Sequence, residues 1–271
     1  MNWRQVMPSV ITLAAMLSGF LSILVTFEGM RKVSPDPYYQ WAALLIMLAM
    51  ILDGMDGNLA RFLKGTSAFG AELDTYVDLT AFGIAPAILV FAVTFKGEAN
   101  TGLWRILLPS AVAVSGVVRL ARFKVRDPLR GQAGYAGLPI TANAGWVALF
   151  VFISQSVGFS LNHGRVASLF LVGVVVFIVL QVTNLRYPKP TKNAALFAPC
   201  VVLVGALLFL SYTDFEGSRE IAVGVASIMV ALGVGYIAFG PLFVKSVAAH
   251  KAKMEARMNG GRTDEEYRDF T

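Results

Sequence analysis

Apolar runs of about 20 residues alternate with short polar patches along the chain, and a helical run of that length crosses the hydrocarbon core of a bilayer. Eight such runs are read from the pattern: Pro8 to Phe27, Tyr38 to Ala60, Gly70 to Phe95, Leu103 to Leu120, Leu138 to Gly158, Val166 to Leu185, Ala194 to Tyr212 and Ile221 to Val244. They predict an all-α integral membrane protein: residues 1–244 form one transmembrane domain, and 245–271 a basic tail. No repeat, low-complexity region or second domain interrupts the series.

Composition agrees with the pattern. Of 271 residues, 56% are hydrophobic and only 15% charged, with a mean hydropathy of +0.64, far more apolar than a soluble domain. The net charge of +6 sits in the polar patches and needs no nucleic acid to explain it. With the N-terminus placed inside, 17 of the 23 basic residues fall on that side, leaving Arg31, Lys32, Lys96, Arg105, Arg165 and Arg219 outside. This bias predicts both termini in the cytoplasm and an even number of spans. Tyr38, Tyr39, Trp41 and Trp104 fall at outer ends, where aromatic anchors are expected. The N-terminal run is read as a retained first helix and not as a cleaved signal. The single cysteine, Cys200, excludes an intramolecular disulfide and reads as a small buried hydrophobe. His163, in an outer loop far from any acid, reads as an ordinary solvated histidine.

One stretch departs from this picture. Between Leu52 and Leu79 four aspartates stand in or beside apolar runs. Asp53, Asp56, Gly57 and Ala60 recur at i, i+3, i+4 and i+7, one helical stripe; Gly70, Asp74 and Asp78 recur at i, i+4 and i+8, a second. Ionisable groups at membrane depth are expensive and functional by default, and clustered carboxylates repel. Divalent cations with oxygen ligands are the economical way to keep them ionised. Arg61, just past the first stripe, carries a donor fork suited to phosphate, and Thr66 and Ser67 add hydroxyls in the connecting loop. Metals beside an arginine describe a site that handles phosphate. A divalent-cation transporter is the alternative of another class, but the acids cluster at one cytoplasmic end and no other span continues a pathway.

In order and spacing, Asp53, Asp56, Gly57, Ala60, Arg61, Gly70, Asp74 and Asp78 resemble the signature of the CDP-alcohol phosphotransferases. The resemblance implies a homodimeric membrane enzyme with a six-helix core, here from about residue 8 to 190, followed by two further helices. It implies a CDP-linked donor and two Mg²⁺ or Mn²⁺ ions. Asp53, Asp56, Asp74 and Asp78 are then metal ligands, and Asp78 also the general base. Pro8, Thr12, Gly57, Ala60, Arg61, Ser67 and Gly70 are similar in position to residues that bind the donor. The family's opening motif has asparagine after the proline, where this chain has Ser9.

The stretches TAFGIAPA (Thr80 to Ala87), RLARF (Arg119 to Phe123), GLPI (Gly137 to Ile140) and NLRYP (Asn184 to Pro188) resemble the integral-membrane phosphatidylserine synthases within that family. They imply CDP-diacylglycerol and L-serine as substrates in the cell membrane, with the site facing the cytoplasm and phosphatidylserine and CMP as products. Inositol phosphate, glycerol phosphate or choline as acceptor are alternatives within the same chemistry. Arg119, Arg122, Asn143 and Arg186, the last expected to end the sixth helix, are candidates for acceptor or lipid phosphate contacts.

Overall fold

The computed structural model describes residues 2–94, 102–125, 135–161, 164–188, 194–213 and 215–268. Lys96, Arg126, Arg130, Lys189, Lys192 and His163 lie outside the described residues. Helix α1 spans Trp3–Met30 and α2 Asp36–Phe62. They form a tight hairpin in which Ser18 and Ser22 on α1 donate their hydroxyls to the Leu45 and Ala42 carbonyls of α2, each at 2.8 Å. Small and hydroxyl residues line this interface, whereas Leu13, Leu17, Phe20 and Leu24 on the other side of α1 are exposed. That inside-out arrangement suits a membrane, where lipid covers large apolar side chains and small ones let backbones approach.

The third expected span is one continuous helical rod, but not one regular helix. Helix α3, Ala68–Val77, passes into a π-helical stretch, Asp78–Ile84, and then into α4, Ala85–Thr94. Pro86 withholds the N–H that the Phe82 carbonyl would otherwise take, and just upstream the Ala85 N–H reaches five residues back to the Thr80 carbonyl. Helix α1 packs on this stretch at Gly19, where an added β-carbon would stand 2.6 Å from the Ala81 Cα. Helix α5, Trp104–Val125, crosses it at Gly116, whose β-carbon would stand 3.7 Å from the Gly83 Cα.

Helices α6, Ile140–Val157, α7, Gly164–Val182, α8, Ala194–Tyr212, and α9, Ser218–Arg268, complete the bundle. The core centres on α2, the π-helical stretch and α6. Seven helices among the described residues are long and apolar enough to cross a membrane. The expected seventh run, α8, has a shorter qualifying apolar stretch, Ala198–Tyr212. The chain is a multi-pass membrane protein.

Three expectations change. Arg186 does not end a helix: α7 stops at Val182, and Arg186 pairs with Ala136 in a two-strand ladder of β1, Tyr135–Ala136, and β2, Arg186–Tyr187. Gly137, at φ 77, makes this turn possible and donates its N–H to the Leu185 carbonyl at 2.8 Å. Cys200 is exposed on α8, because a lipid-facing surface accepts an apolar side chain as readily as a protein core does. Tyr39 is buried, unlike the neighbouring Trp41, and so is not an interfacial anchor.

Candidate active site

The two acidic stripes meet. Helix α2 presents Asp53 and Asp56 and α3 presents Asp74, and one carboxylate oxygen from each lies within 4.8 Å of the others. Helical spacing explains the first pair, since residues three apart share a face. The short loop 63–67 reverses the chain so that α3 packs on α1 and carries Asp74 to the acids of α2, with Ser67 accepting the Gly70 N–H at 3.0 Å as the N-cap. Asp53 and Asp74 stand within hydrogen-bonding reach of each other. Asp53 Oδ1 and the nearly inaccessible Asp56 Oδ2 have no hydrogen-bond partner among the described residues.

Three converging carboxylates with orphaned buried oxygens are poorly matched to a protein-only interior, where an unpaired acceptor costs about 1–3 kcal/mol. They are well matched to a hard divalent cation, which prefers carboxylate oxygens. Asp78 does not join this triad. It opens the π-helical stretch beside it, where it feels the charges of Asp74 and Asp56 and of the buried Arg119 guanidinium from α5.

The expected donor residues lie on the N-terminal half of α1, the end of α2 and the start of α3. The Thr12 hydroxyl lies 3.0 Å from the Pro8 carbonyl and also within reach of the Asp56 carboxylate; it has one proton to give. Ser9, where the family has asparagine, turns inward and donates to the Gln5 carbonyl at 2.9 Å. Arg61 folds back over Gly57 and donates to Asn58 Oδ1 at 2.9 Å, leaving the rest of an exposed donor fork next to the acids. Ala60 and Gly70 are half-buried, and the Ser67 hydroxyl, accepting from Gly70, keeps its own proton available.

The acceptor candidates separate. Arg119 is buried, and its charge reaches Asp78. Arg122 ties α5 to the end of α7, donating to the Val182 carbonyl and to Asn184 Oδ1. Arg186 lies exposed on β2. Asn143, on the buried face of α6 one turn beyond Ile140, has no partner for its Oδ1 among the described residues. Two polar links escaped the sequence reading: Ser115 donates to the fully buried Gln181 Oε1 at 2.7 Å, and Lys124 pairs with Glu72 at 2.6 Å, joining α5 to α3. Polar residues at apolar positions, Ser115 and Gln181, were the available signal for the first.

The family model described as CDP-alcohol phosphatidyltransferase matches residues 5–180. A CDP-diacylglycerol–serine O-phosphatidyltransferase of Helicobacter pylori is 35% identical over 190 residues, covering 68% of this chain and 76% of the relative. The enzyme of that name from Mycobacterium tuberculosis strain H37Rv is 29% identical over 220 residues, 77% of this chain and 72% of the relative. An archaetidylserine synthase of Methanothermobacter thermautotrophicus is 28% identical over 187 residues, 68% and 70% of the two chains.

Proposed function

Because the chain belongs to the CDP-alcohol phosphatidyltransferase family, we propose that it transfers the phosphatidyl group of CDP-diacylglycerol to the hydroxyl of L-serine, releasing phosphatidylserine and CMP. The observation that carries this reading is the convergence of Asp53, Asp56 and Asp74, with Asp78 near enough to feel their charge and that of the buried Arg119. The choice of serine is supported by the names of the relatives.

In this reading Asp53, Asp56 and Asp74, with Asp78 at the edge, hold two divalent cations, Mg²⁺ or Mn²⁺. When bound, such cations neutralise the diphosphate and stabilise the leaving oxygen. Thr12 orients Asp56. Arg61, with Gly57 and Ala60 leaving space beside it and Pro8, Ser67 and Gly70 framing the pocket, binds the cytidine diphosphate part of the donor. Asp78 accepts the proton of the serine hydroxyl as its oxygen bonds to phosphorus and the bond from phosphorus to the CMP oxygen breaks. Arg119 recognises the serine carboxylate with its planar fork and restrains Asp78. Arg122 acts from behind, fixing α5 against α7, and Asn143 offers an acceptor to the serine ammonium. The protein works as a homodimer in the cell membrane with this site facing the cytoplasm.

The test is purified protein with CDP-diacylglycerol, Mn²⁺ or Mg²⁺ and a panel of alcohols, following CMP release and product mass. CMP release with serine, abolished by a chelator and restored by Mn²⁺, is the expected result. No CMP with any acceptor from folded protein overturns the transferase reading. CMP with inositol phosphate, glycerol phosphate or choline but not serine overturns only the acceptor. An archaeol-linked donor, run in parallel, distinguishes diacyl from ether lipid use.

A further inference from the structure

The first turns of α1 and the loop after α2 meet at a backbone contact between Arg4 and Gly65. In an uninterrupted helix the Arg4 carbonyl would accept the N–H of residue 8. Residue 8 is proline, so that donor is missing, and the pyrrolidine ring pushes the carbonyl away from the helix. The loop 63–67 closes over this spot. Lys64 takes a left-handed turn at φ 52, Gly65 donates its N–H to the Ala60 carbonyl at 2.9 Å, and the buried Gly65 lies on Arg4. A β-carbon on Gly65 would overlap the Arg4 carbonyl oxygen and stand 2.6 Å from its carbon and 3.3 Å from the Gln5 nitrogen. The obstacle is backbone, which cannot swing aside as a side-chain tip can. Gly65 is not at a positive φ, so space, and not backbone conformation, is what demands glycine there.

We propose that Gly65 is a positioning residue for the metal triad: it seats the α2–α3 loop on the carbonyl that Pro8 leaves open, and so fixes Asp74 relative to Asp53 and Asp56. The inference rests on reading the triad as a metal site. Only five residues, 63–67, separate the helices that carry the two halves of the cluster, so a shift of the loop passes directly into α3. Helix α1 is the common reference, because it touches the loop at Arg4 and reaches Asp56 through Thr12, two turns further on. Removing a residue that orients metal ligands typically weakens metal affinity 10- to 100-fold.

The experiment needs no substrate. Mn²⁺ binding to the purified full chain in nanodiscs is read from the free-ion electron paramagnetic resonance signal. Gly65→Ala is expected to weaken binding about 10-fold or more. Pro8→Ala returns an N–H to residue 8, draws the Arg4 carbonyl back into the helix and makes room for the β-carbon. The double variant is therefore expected to bind Mn²⁺ more tightly than Gly65→Ala alone, a non-additive rescue that general destabilisation does not give. Gly158→Ala serves as a control, since Gly158 sits at φ 81 in open space at the C-terminal end of α6. It should lower the unfolding temperature and leave Mn²⁺ affinity unchanged.

Wild-type affinity in Gly65→Ala, or additive effects of the two substitutions, overturns the proposal. If Gly65→Ala fails to fold, recovery of a folded, Mn²⁺-binding double variant supports it and a double variant that also fails overturns it. Wild-type protein that binds no Mn²⁺ overturns the metal reading itself, a different outcome from any of these.

Discussion

Asp74 and Asp78 are four residues apart on one helical rod, yet their surroundings differ. Asp74 converges with Asp53 and Asp56, while Asp78 stands outside the triad with the Arg119 charge beside it. On the proposed metal reading, Asp74→Asn replaces a carboxylate oxygen of the triad with an amide nitrogen and should weaken Mn²⁺ binding about 10-fold or more. Asp78→Asn should leave most donor binding in place, weaken Mn²⁺ binding less than Asp74→Asn does, and lower CMP release by a factor of about 10² to 10⁴, the range for loss of a general base. Metal titration and CMP release on the same two proteins check this; equal losses of both properties in both variants would remove the division of roles. The acids were legible in the sequence because helical spacing converts directly into a shared face. The basic residues were not, since a lysine or arginine at a membrane edge looks the same whether it anchors, pairs or binds. Only packing distinguishes the buried Arg119 from Arg122, held by Val182 and Asn184, and from Arg186 on its strand.

Among the elements, the π-helical stretch Asp78–Ile84 sets how the site is held. It bears Asp78 at its start and is gripped on one side by Gly19 of α1 and on another by Gly116 of α5. The two grips differ in hardness. A β-carbon at position 19 meets Ala81 backbone, 2.6 Å from its Cα and 3.2 Å from its nitrogen, whereas one at position 116 meets the end of a side chain, Ile140 Cδ1, at 2.7 Å. Gly19→Ala should therefore destabilise by about 1–3 kcal/mol, the usual range for overpacking, and Gly116→Ala by less, because Ile140 can change rotamer. Unfolding temperatures in one detergent give the order, and a larger loss for Gly116→Ala would contradict it. The length and apolar character of this rod were readable in advance. Its change of hydrogen-bond register was not: Pro86 announces a local break, but the break can be absorbed as a kink, a wide turn or a π-helical stretch, and packing against α1 and α5 selects among them.

At the scale of the whole molecule, apolar run lengths located eight helices, whereas the partners of each helix were hidden, because small and hydroxyl residues mark a face as inner without saying which helix it meets. Helix α9 illustrates both points. It runs through 51 residues, Ser218–Arg268, and its spanning part is only 11% buried, yet its few contacts are well placed. Ala222 and Ala226 turn into the core, the Tyr236 hydroxyl donates to the Pro188 carbonyl at 2.8 Å, and the Tyr187 and Tyr236 rings lie 5.7 Å apart. Gly240 continues this contact, since an added β-carbon there would stand 3.1 Å from both Tyr187 and Pro188, and Val244 one turn on is also buried. Through Tyr187 and Pro188, α9 steadies the segment after α7 to which Arg122 is bound. Ending the chain after Ser246 keeps all of these contacts and should leave Mn²⁺ affinity, CMP release and unfolding temperature at their full-length values. Ending it after Glu216 removes α9, uncovers α6 and frees the Tyr187 segment, so the unfolding temperature should fall and turnover with it, while the aspartate triad stays on α2 and α3. Mn²⁺ affinity measured below the lowered unfolding temperature separates the two effects: retained binding with reduced CMP release places the influence of α9 on the Arg119 and Arg122 side of the site, and loss of binding would place it on the triad.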